Sequence, residues 1–171
     1  MPKVLISDSL GNLAKEVFEK EKIEVNVNTD LSPSELKELI KNYDGLIVRS
    51  ATKVTKEIIE SGYKLKIIGR AGSGVDNIDL ACAKKNNIIV MNTPGGNTIA
   101  TAELTFTHML CGARQIAQAN ASMASGRWDR KVYGGIEVFR KTLGILGLGR
   151  IGAELASRAQ AFGMRVIAYD P

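Results

Sequence analysis

Six residues near the carboxyl end of the chain, Gly147-Leu148-Gly149-Arg150-Ile151-Gly152, have the G-x-G-x-x-G spacing of a dinucleotide-binding turn. The first glycine permits the tight turn and the second lets backbone approach a pyrophosphate. The third lets the next helix pack on the preceding strand, and that helix offers its free N–H groups to the anion. The surroundings have the required order: apolar Leu143–Leu146 reads as a strand, a helical pattern carrying Leu155 and Phe162 follows, and a second strand ends on Asp170. Asp170 stands close to the spacing of about 20 residues expected of an acid that accepts hydrogen bonds from an adenosine ribose. Its charge favours NAD over NADP by repelling a 2′-phosphate. A nucleotide site of methyltransferase or adenosylhomocysteine type is the minor alternative.

A second set of candidates lies earlier in the chain. Arg49 ends an apolar run and opens Arg49-Ser50-Ala51-Thr52-Lys53, and Arg70 ends another and opens Arg70-Ala71-Gly72-Ser73-Gly74. Ligands of open parallel sheets bind beyond the carboxyl ends of strands. Guanidinium groups there suit carboxylate or phosphate, and the backbone of a glycine-rich turn suits an anion nest. An arginine at a strand end also serves to pair with a neighbouring acid, such as Asp76 for Arg70. The single histidine, His108, falls opposite the apolar stripe of its helix and reads as a surface or structural residue. A hydroxy-acid oxidation needs a proton-transfer group at the carbinol oxygen, and these residues offer no convincing one.

Short apolar runs at Val4–Ile6, Val25–Val27, Leu46–Val48, Leu65–Ile68 and Ile88–Met91 are separated by helix-length segments, the alternation of a parallel sheet with helices on both faces. Ser32-Pro33-Ser34-Glu35 reads as a capping box with proline at the first helical position, and Thr55 opens a further helix. Thr93-Pro94-Gly95-Gly96-Asn97 reads as a hinge. Beyond it Phe106, Met109, Leu110 and Ala113 mark one long helix from about Ile99 to about Ala124, followed by an irregular polar segment around Trp128. The expected organisation is therefore a flavodoxin-like parallel-sheet domain over residues 1–97 and the first βαβ of a Rossmann NAD-binding domain over 98–171. Two strands and one helix leave an open edge and an uncovered face. Order after Lys141 is accordingly expected to need self-association or residues outside this sequence, whereas residues 1–97 close their own core.

Composition excludes several classes. With 44% hydrophobic and 24% charged residues among 171, the chain is neither disordered nor collagen-like. The charge of +5 comes from 23 basic and 18 acidic residues interspersed along the chain, which argues against a nucleic-acid surface while favouring a small anionic substrate. Cys82 and Cys111 form no C-x-x-C pair and read as free buried thiols of a reducing, cytoplasmic compartment. No apolar run approaches a membrane span, and Met1-Pro2-Lys3 leads into a strand without a signal-peptide core.

The stretches Leu5–Asp8, Gly45–Val54, Gly69–Asn77, Met91–Pro94 and Thr142 with Gly144–Gly152 together resemble the D-2-hydroxyacid dehydrogenase family. Within it they resemble the branch that oxidises 3-phospho-D-glycerate to 3-phosphohydroxypyruvate with NAD, the first step of serine biosynthesis. The likeness runs along the whole chain but covers only the N-terminal part of the family's enzymes. It implies that Arg49, Ser50 and Arg70 hold the substrate's anionic groups, with Gly72 and Ser73 beside the carboxylate and nicotinamide. It implies that Gly147, Gly149, Arg150, Ile151 and Gly152 hold the pyrophosphate and that Asp170 holds the ribose. Asn97 matches an asparagine near the domain cleft, and Arg130 with Lys131 match basic residues presented toward a partner subunit, so a homodimer or higher homo-oligomer is implied. The family's catalytic arginine, glutamate and histidine fall beyond Pro171, so none is expected here and the 171 residues alone are expected to be inactive. A non-catalytic relative that senses NAD or binds a protein is the alternative reading.

Overall fold

The computed structural model describes residues 1–171, the side chain of Asn12 excepted, and the chain divides into two units, Met1–Gly96 and Asn97–Pro171. The first unit runs β1 (Lys3–Ile6), α1 (Asn12–Lys20), β2 (Glu24–Val27), α2 (Pro33–Leu39), β3 (Gly45–Val48), α3 (Lys56–Ser61), β4 (Ile67–Arg70), α4 (Leu80–Lys85) and β5 (Ile89–Asn92). The five strands are parallel in the order β2-β1-β3-β4-β5, the flavodoxin-like winding whose chain direction across the sheet reverses between β1 and β3. Leu5, Leu46, Val48 and Ile68 from the strands bury against Leu36, Ile40, Ile58, Ile59 and Ala83 from the helical layers. The nearly continuous apolar character of β1 and β3 follows from burial on both faces.

Local chemistry sets several boundaries. Ser32 Oγ accepts the Glu35 N–H at 3.3 Å while Glu35 Oε2 accepts the Ser32 N–H at 2.8 Å, so both halves of the capping box are made and Pro33 opens α2. Asp79 caps α4 by accepting the Cys82 N–H at 2.9 Å. Thr55 opens α3 as its N-cap residue, as the sequence indicates, although its side chain makes no cap bond. The fourth strand also differs: it covers Ile67–Arg70 rather than Leu65–Ile68, because Leu65 buries its side chain from the turn before the strand.

The second unit contains α5 (Thr98–Arg114), α6 (Ile116–Ala124), β6 (Thr142–Leu146), α7 (Arg150–Ala161) and β7 (Arg165–Tyr169). The single helix expected from about Ile99 to about Ala124 is in fact broken at Gln115, which adopts φ 52° and ψ 37°. A left-handed glutamine costs on the order of 1 kcal/mol. The break frees the Ala113 carbonyl from the helix ladder, and it accepts the N–H of Ile136 at 2.8 Å. The parallel pair β6-β7 packs one face on α5 and α7 through Phe106, Leu143, Ile145, Leu155, Ala159 and Met164, with Phe106 and Phe162 edge to face at 4.8 Å. Its other face carries Leu146 at 90% exposure together with the exposed Ile167 and Tyr169. Cys82 is buried, Cys111 is only partly buried, and both are free thiols. Among the described residues no helix is long and apolar enough to cross a membrane, and no group of three His, Cys, Asp or Glu residues could hold a metal ion.

Candidate functional site

At the carboxyl ends of β1, β3 and β4 the first unit brings Arg49, Ser50, Arg70, Gly72 and Ser73 together around one hydrogen-bond network. β1 continues into Ser7 and Asp8, both buried, and Asp8 accepts the Arg49 N–H at 2.5 Å, the Thr52 N–H at 3.1 Å and the Thr52 hydroxyl at 2.6 Å. The Asn77 amide donates to the carbonyls of Arg49 at 2.7 Å and Thr52 at 2.6 Å. Arg70 Nε donates to the same Arg49 carbonyl at 3.3 Å. The two arginine-bearing loops are therefore one assembly at the place where the winding reverses, the position at which open α/β sheets receive ligands.

The two guanidinium groups differ in state. Arg49 is exposed and its Nη1 donates a long 3.3 Å bond to the Ser9 carbonyl. Arg70 has a side chain only 12% exposed and pairs through Nη1 with Asp76 at 2.8 Å, Asp76 itself being 82% exposed. Arg70 thus has the acidic partner that its place near Asp76 allows, and its Nε and Nη1 are engaged. The pair is one-sided, a largely buried guanidinium against a carboxylate that remains open to solvent. Around these groups Thr93 N and Oγ1 donate to the Gly72 carbonyl at 3.0 and 3.3 Å, and the Asn92 amide donates to the Ser73 carbonyl at 2.6 Å, which ties the Gly72–Ser73 turn to the end of β5. A cleft of about 580 Å³ opens at the same end of the sheet, with Ser9, Asp30, Leu36 and Lys53 among its lining residues.

In the second unit the turn from β6 into α7 has the geometry that the glycine spacing demands. Gly147 sits at φ +94°, where an L side chain is strained, and its N–H is held by the Tyr169 carbonyl at 2.8 Å. A Cβ added at Gly152 would overlap the Gly147 carbonyl oxygen and lie 3.4 Å from Ile145 Cγ2, so only glycine lets α7 approach β6 this closely. Gly149 caps α7 with extended backbone and no side chain over the helix end, which leaves the first N–H groups of a 12-residue helix turned toward open space. Such a turn fits a pyrophosphate. Asp170 follows β7 and accepts the Leu148 N–H at 3.0 Å, which brings the acid proposed for a ribose back to the glycine turn across 22 residues of sequence.

The remaining expected residues lie apart within this unit. Asn97 is the N-cap residue of α5, with no side-chain cap bond. Arg130 and Lys131 are exposed on the irregular segment after α6, which Asp129 anchors by accepting bonds from Ser122 at 2.7 Å and Arg127 at 3.1 Å. Those two donors hold the Asp129 carboxyl below its ordinary range. His108 is exposed on α5, as its helical phase required. Asp8 and Asn77 are the residues that sequence reasoning overlooked as site components. The signal available for Asp8 was an acid two residues beyond a buried apolar strand, which must find donors.

The chain is similar along nearly its whole length to known proteins. It is 53% identical over 171 residues to the D-3-phosphoglycerate dehydrogenase of Methanocaldococcus jannaschii and 53% identical over 169 residues to that of Homo sapiens, spanning about a third of each, 32% of their length. The crystal structure of NAD+-bound 3-phosphoglycerate dehydrogenase from Entamoeba histolytica superposes with a TM-score of 0.80 at 36% identity, covering 99% of this chain and 54% of that one. The family model for the D-isomer specific 2-hydroxyacid dehydrogenase catalytic domain matches residues 4–167. By that match and by the parallel-sheet fold it shares with these relatives, the chain belongs to the D-isomer specific 2-hydroxyacid dehydrogenase family.

Proposed function

We propose that the chain is the substrate-binding unit and the opening of the NAD-binding unit of a cytoplasmic D-3-phosphoglycerate dehydrogenase, which oxidises 3-phospho-D-glycerate to 3-phosphohydroxypyruvate. The observation that carries this reading is that the Arg70 side chain bonds the Arg49 carbonyl, so that two arginines, each suited to an anionic group, stand on adjoining loops at one end of the sheet. The relatives named D-3-phosphoglycerate dehydrogenase support the substrate, and the NAD+ held by the Entamoeba histolytica structure supports the cofactor.

In this reading Arg49, Ser50 and Arg70 take the carboxylate and phosphate, with Arg70 exchanging Asp76 for the substrate. The Gly72–Ser73 turn lies beside the carboxylate and the nicotinamide. Backbone N–H groups at Gly149, Arg150 and Ile151 receive the pyrophosphate, and Asp170 receives the adenosine ribose. When bound, NAD+ accepts the hydride from C2 of the hydroxy acid. Asn97 contributes to substrate binding, and Arg130 and Lys131 serve a partner subunit in a homodimer or larger homo-oligomer. In this reading residues 1–171 alone are inactive, because His108 lies on α5, outside the Arg49–Arg70 network.

The test is turnover by the full-length protein on 3-phosphoglycerate against glycerate, lactate and glyoxylate. Preference for the phosphorylated acid is expected. Preference for an unphosphorylated acid overturns the substrate, and retained NAD binding without any turnover would favour the non-catalytic reading.

A further inference from the structure

Asp8 is a carboxylate only 6% exposed, and an isolated buried charge is costly unless it is paired or fully hydrogen-bonded. No cation pairs with it among the described residues. Its donors are instead the backbone N–H groups of Arg49 and Thr52 and the Thr52 hydroxyl, contributed by a loop 41 to 44 residues away in sequence. Ser7 adds a 3.1 Å hydroxyl contact to the same Thr52. On the other side of the loop the Asn77 amide takes the carbonyls of Arg49 and Thr52. Both peptide groups of Arg49 are thereby fixed while its guanidinium stays exposed with one long bond. What this network sets is the place and direction from which the Arg49 side chain leaves the sheet.

A carboxylate is the side chain suited to that task. It is acceptor-only, so both oxygens can face N–H and O–H donors, whereas an amide would turn an N–H against at least one of them. We propose that Asp8 is the positioning residue for anion recognition by Arg49, acting through the backbone of the 49–53 loop and without touching substrate. This inference rests on the reading of Arg49 as a substrate contact.

The experiment is a double-mutant cycle in the full-length enzyme with Asp8→Asn, Arg49→Ala and the pair. Asp8→Asn should raise KM for the anionic substrate about tenfold, the effect of disturbing one charge-assisted contact, and leave KM for NAD within about twofold. Added to Arg49→Ala it should change substrate KM less than about twofold, because the group it positions is gone. Equal multiplication of KM in both backgrounds, or equal rises for substrate and NAD, would overturn the proposal. If the preferred hydroxy acid proves to be other than phosphoglycerate, the substrate assignment fails while the same cycle on that acid still decides the role of Asp8. Two further readouts stand apart from turnover and from tolerance of the buried amide. In residues 1–171, Asp8→Asn should speed hydrogen exchange at the Arg49 and Thr52 amides with β1 still protected, and unchanged exchange there refutes the proposal. Thr52→Val, which removes the hydroxyl donor, should raise substrate KM in the same direction; an unchanged KM counts against it.

Discussion

Gly152→Ala isolates the glycine turn from everything else in the chain. The added Cβ would overlap the Gly147 carbonyl oxygen and press the Gly147 carbon at 3.2 Å, and these are backbone atoms that cannot rotate aside. Gly147 is itself held, by its φ of +94° and by the Tyr169 carbonyl, so relief must come from lifting the first turn of α7 off β6. Overpacking of this kind costs about 1–3 kcal/mol. Helix propensity returns up to about 1 kcal/mol, since alanine is the better helix former, so the net loss of stability falls anywhere from about 0 to 3 kcal/mol and is a poor readout of the turn's role. Ligand affinity is the sharp one. A lifted turn misaims the N–H groups meant for the pyrophosphate, and charge-assisted bonds of this type are worth about 1.5–3 kcal/mol, or about 10–100-fold in Kd. Calorimetric titration of NAD+ into the full-length protein should show that loss, with hydrogen-exchange protection of β1 in the first unit unchanged. An unaltered Kd in a folded variant would refute the reasoning, and equal loss of protection in both units would show that the substitution acts through global unfolding.

Other substitutions probe the remaining parts. Asn77→Asp replaces two N–H donors with a carboxylate facing the Arg49 and Thr52 carbonyls, and should lower unfolding free energy by about 2–4 kcal/mol in denaturant titration; wild-type stability would mean that the amide bonds contribute nothing. The Lys3 backbone N–H and the Lys66 ammonium hold the Asp44 carboxyl below its ordinary 3.8. A depressed carboxylate stabilises the fold in full above the unfolded value and loses that contribution as pH falls through the folded one. Thermal stability of Asp44→Asn should therefore be lower than wild type at neutral pH and converge with it in acid below 3.8, whereas parallel pH profiles would refute the linkage. Asp170→Ala removes both the acceptor of the Leu148 N–H and the charge that repels a 2′-phosphate. It should raise the ratio of NADP to NAD efficiency at least tenfold, of order one charge-assisted contact, and an unchanged ratio would place the discrimination elsewhere.

Much of this architecture was legible because it is encoded over short spans. The capping box at Ser32 and Glu35, the apolar runs of β1 and β3 and the G-x-G-x-x-G turn each lie within a few residues, and each reflects a local constraint of backbone geometry. The strand-end arginines were legible for the same reason. What escaped was non-local or compensated. Asp8 meets Thr52 across 44 residues, and Asn77 reaches Arg49 across 28, separations at which sequence pattern carries no pairing information. The break at Gln115 carries no glycine or proline of its own and is offset by a bond to Ile136, a partner that only the folded chain reveals. Leu65 reads as a strand residue because hydrophobicity reports burial, and a residue of the preceding turn can be buried as fully as a strand residue.

Arg49 and Arg70 are proposed to form one anion-recognition site, and Arg70→Ala in the full-length enzyme probes it through KM for 3-phosphoglycerate and for NAD measured on the same preparation. Loss of a guanidinium contact to an anion should raise KM for the acid about 10–100-fold while KM for NAD moves less than about twofold. A comparable rise in both would show that Arg70, paired with Asp76 and the Arg49 carbonyl, serves to hold the sheet end together rather than to recognise an anion.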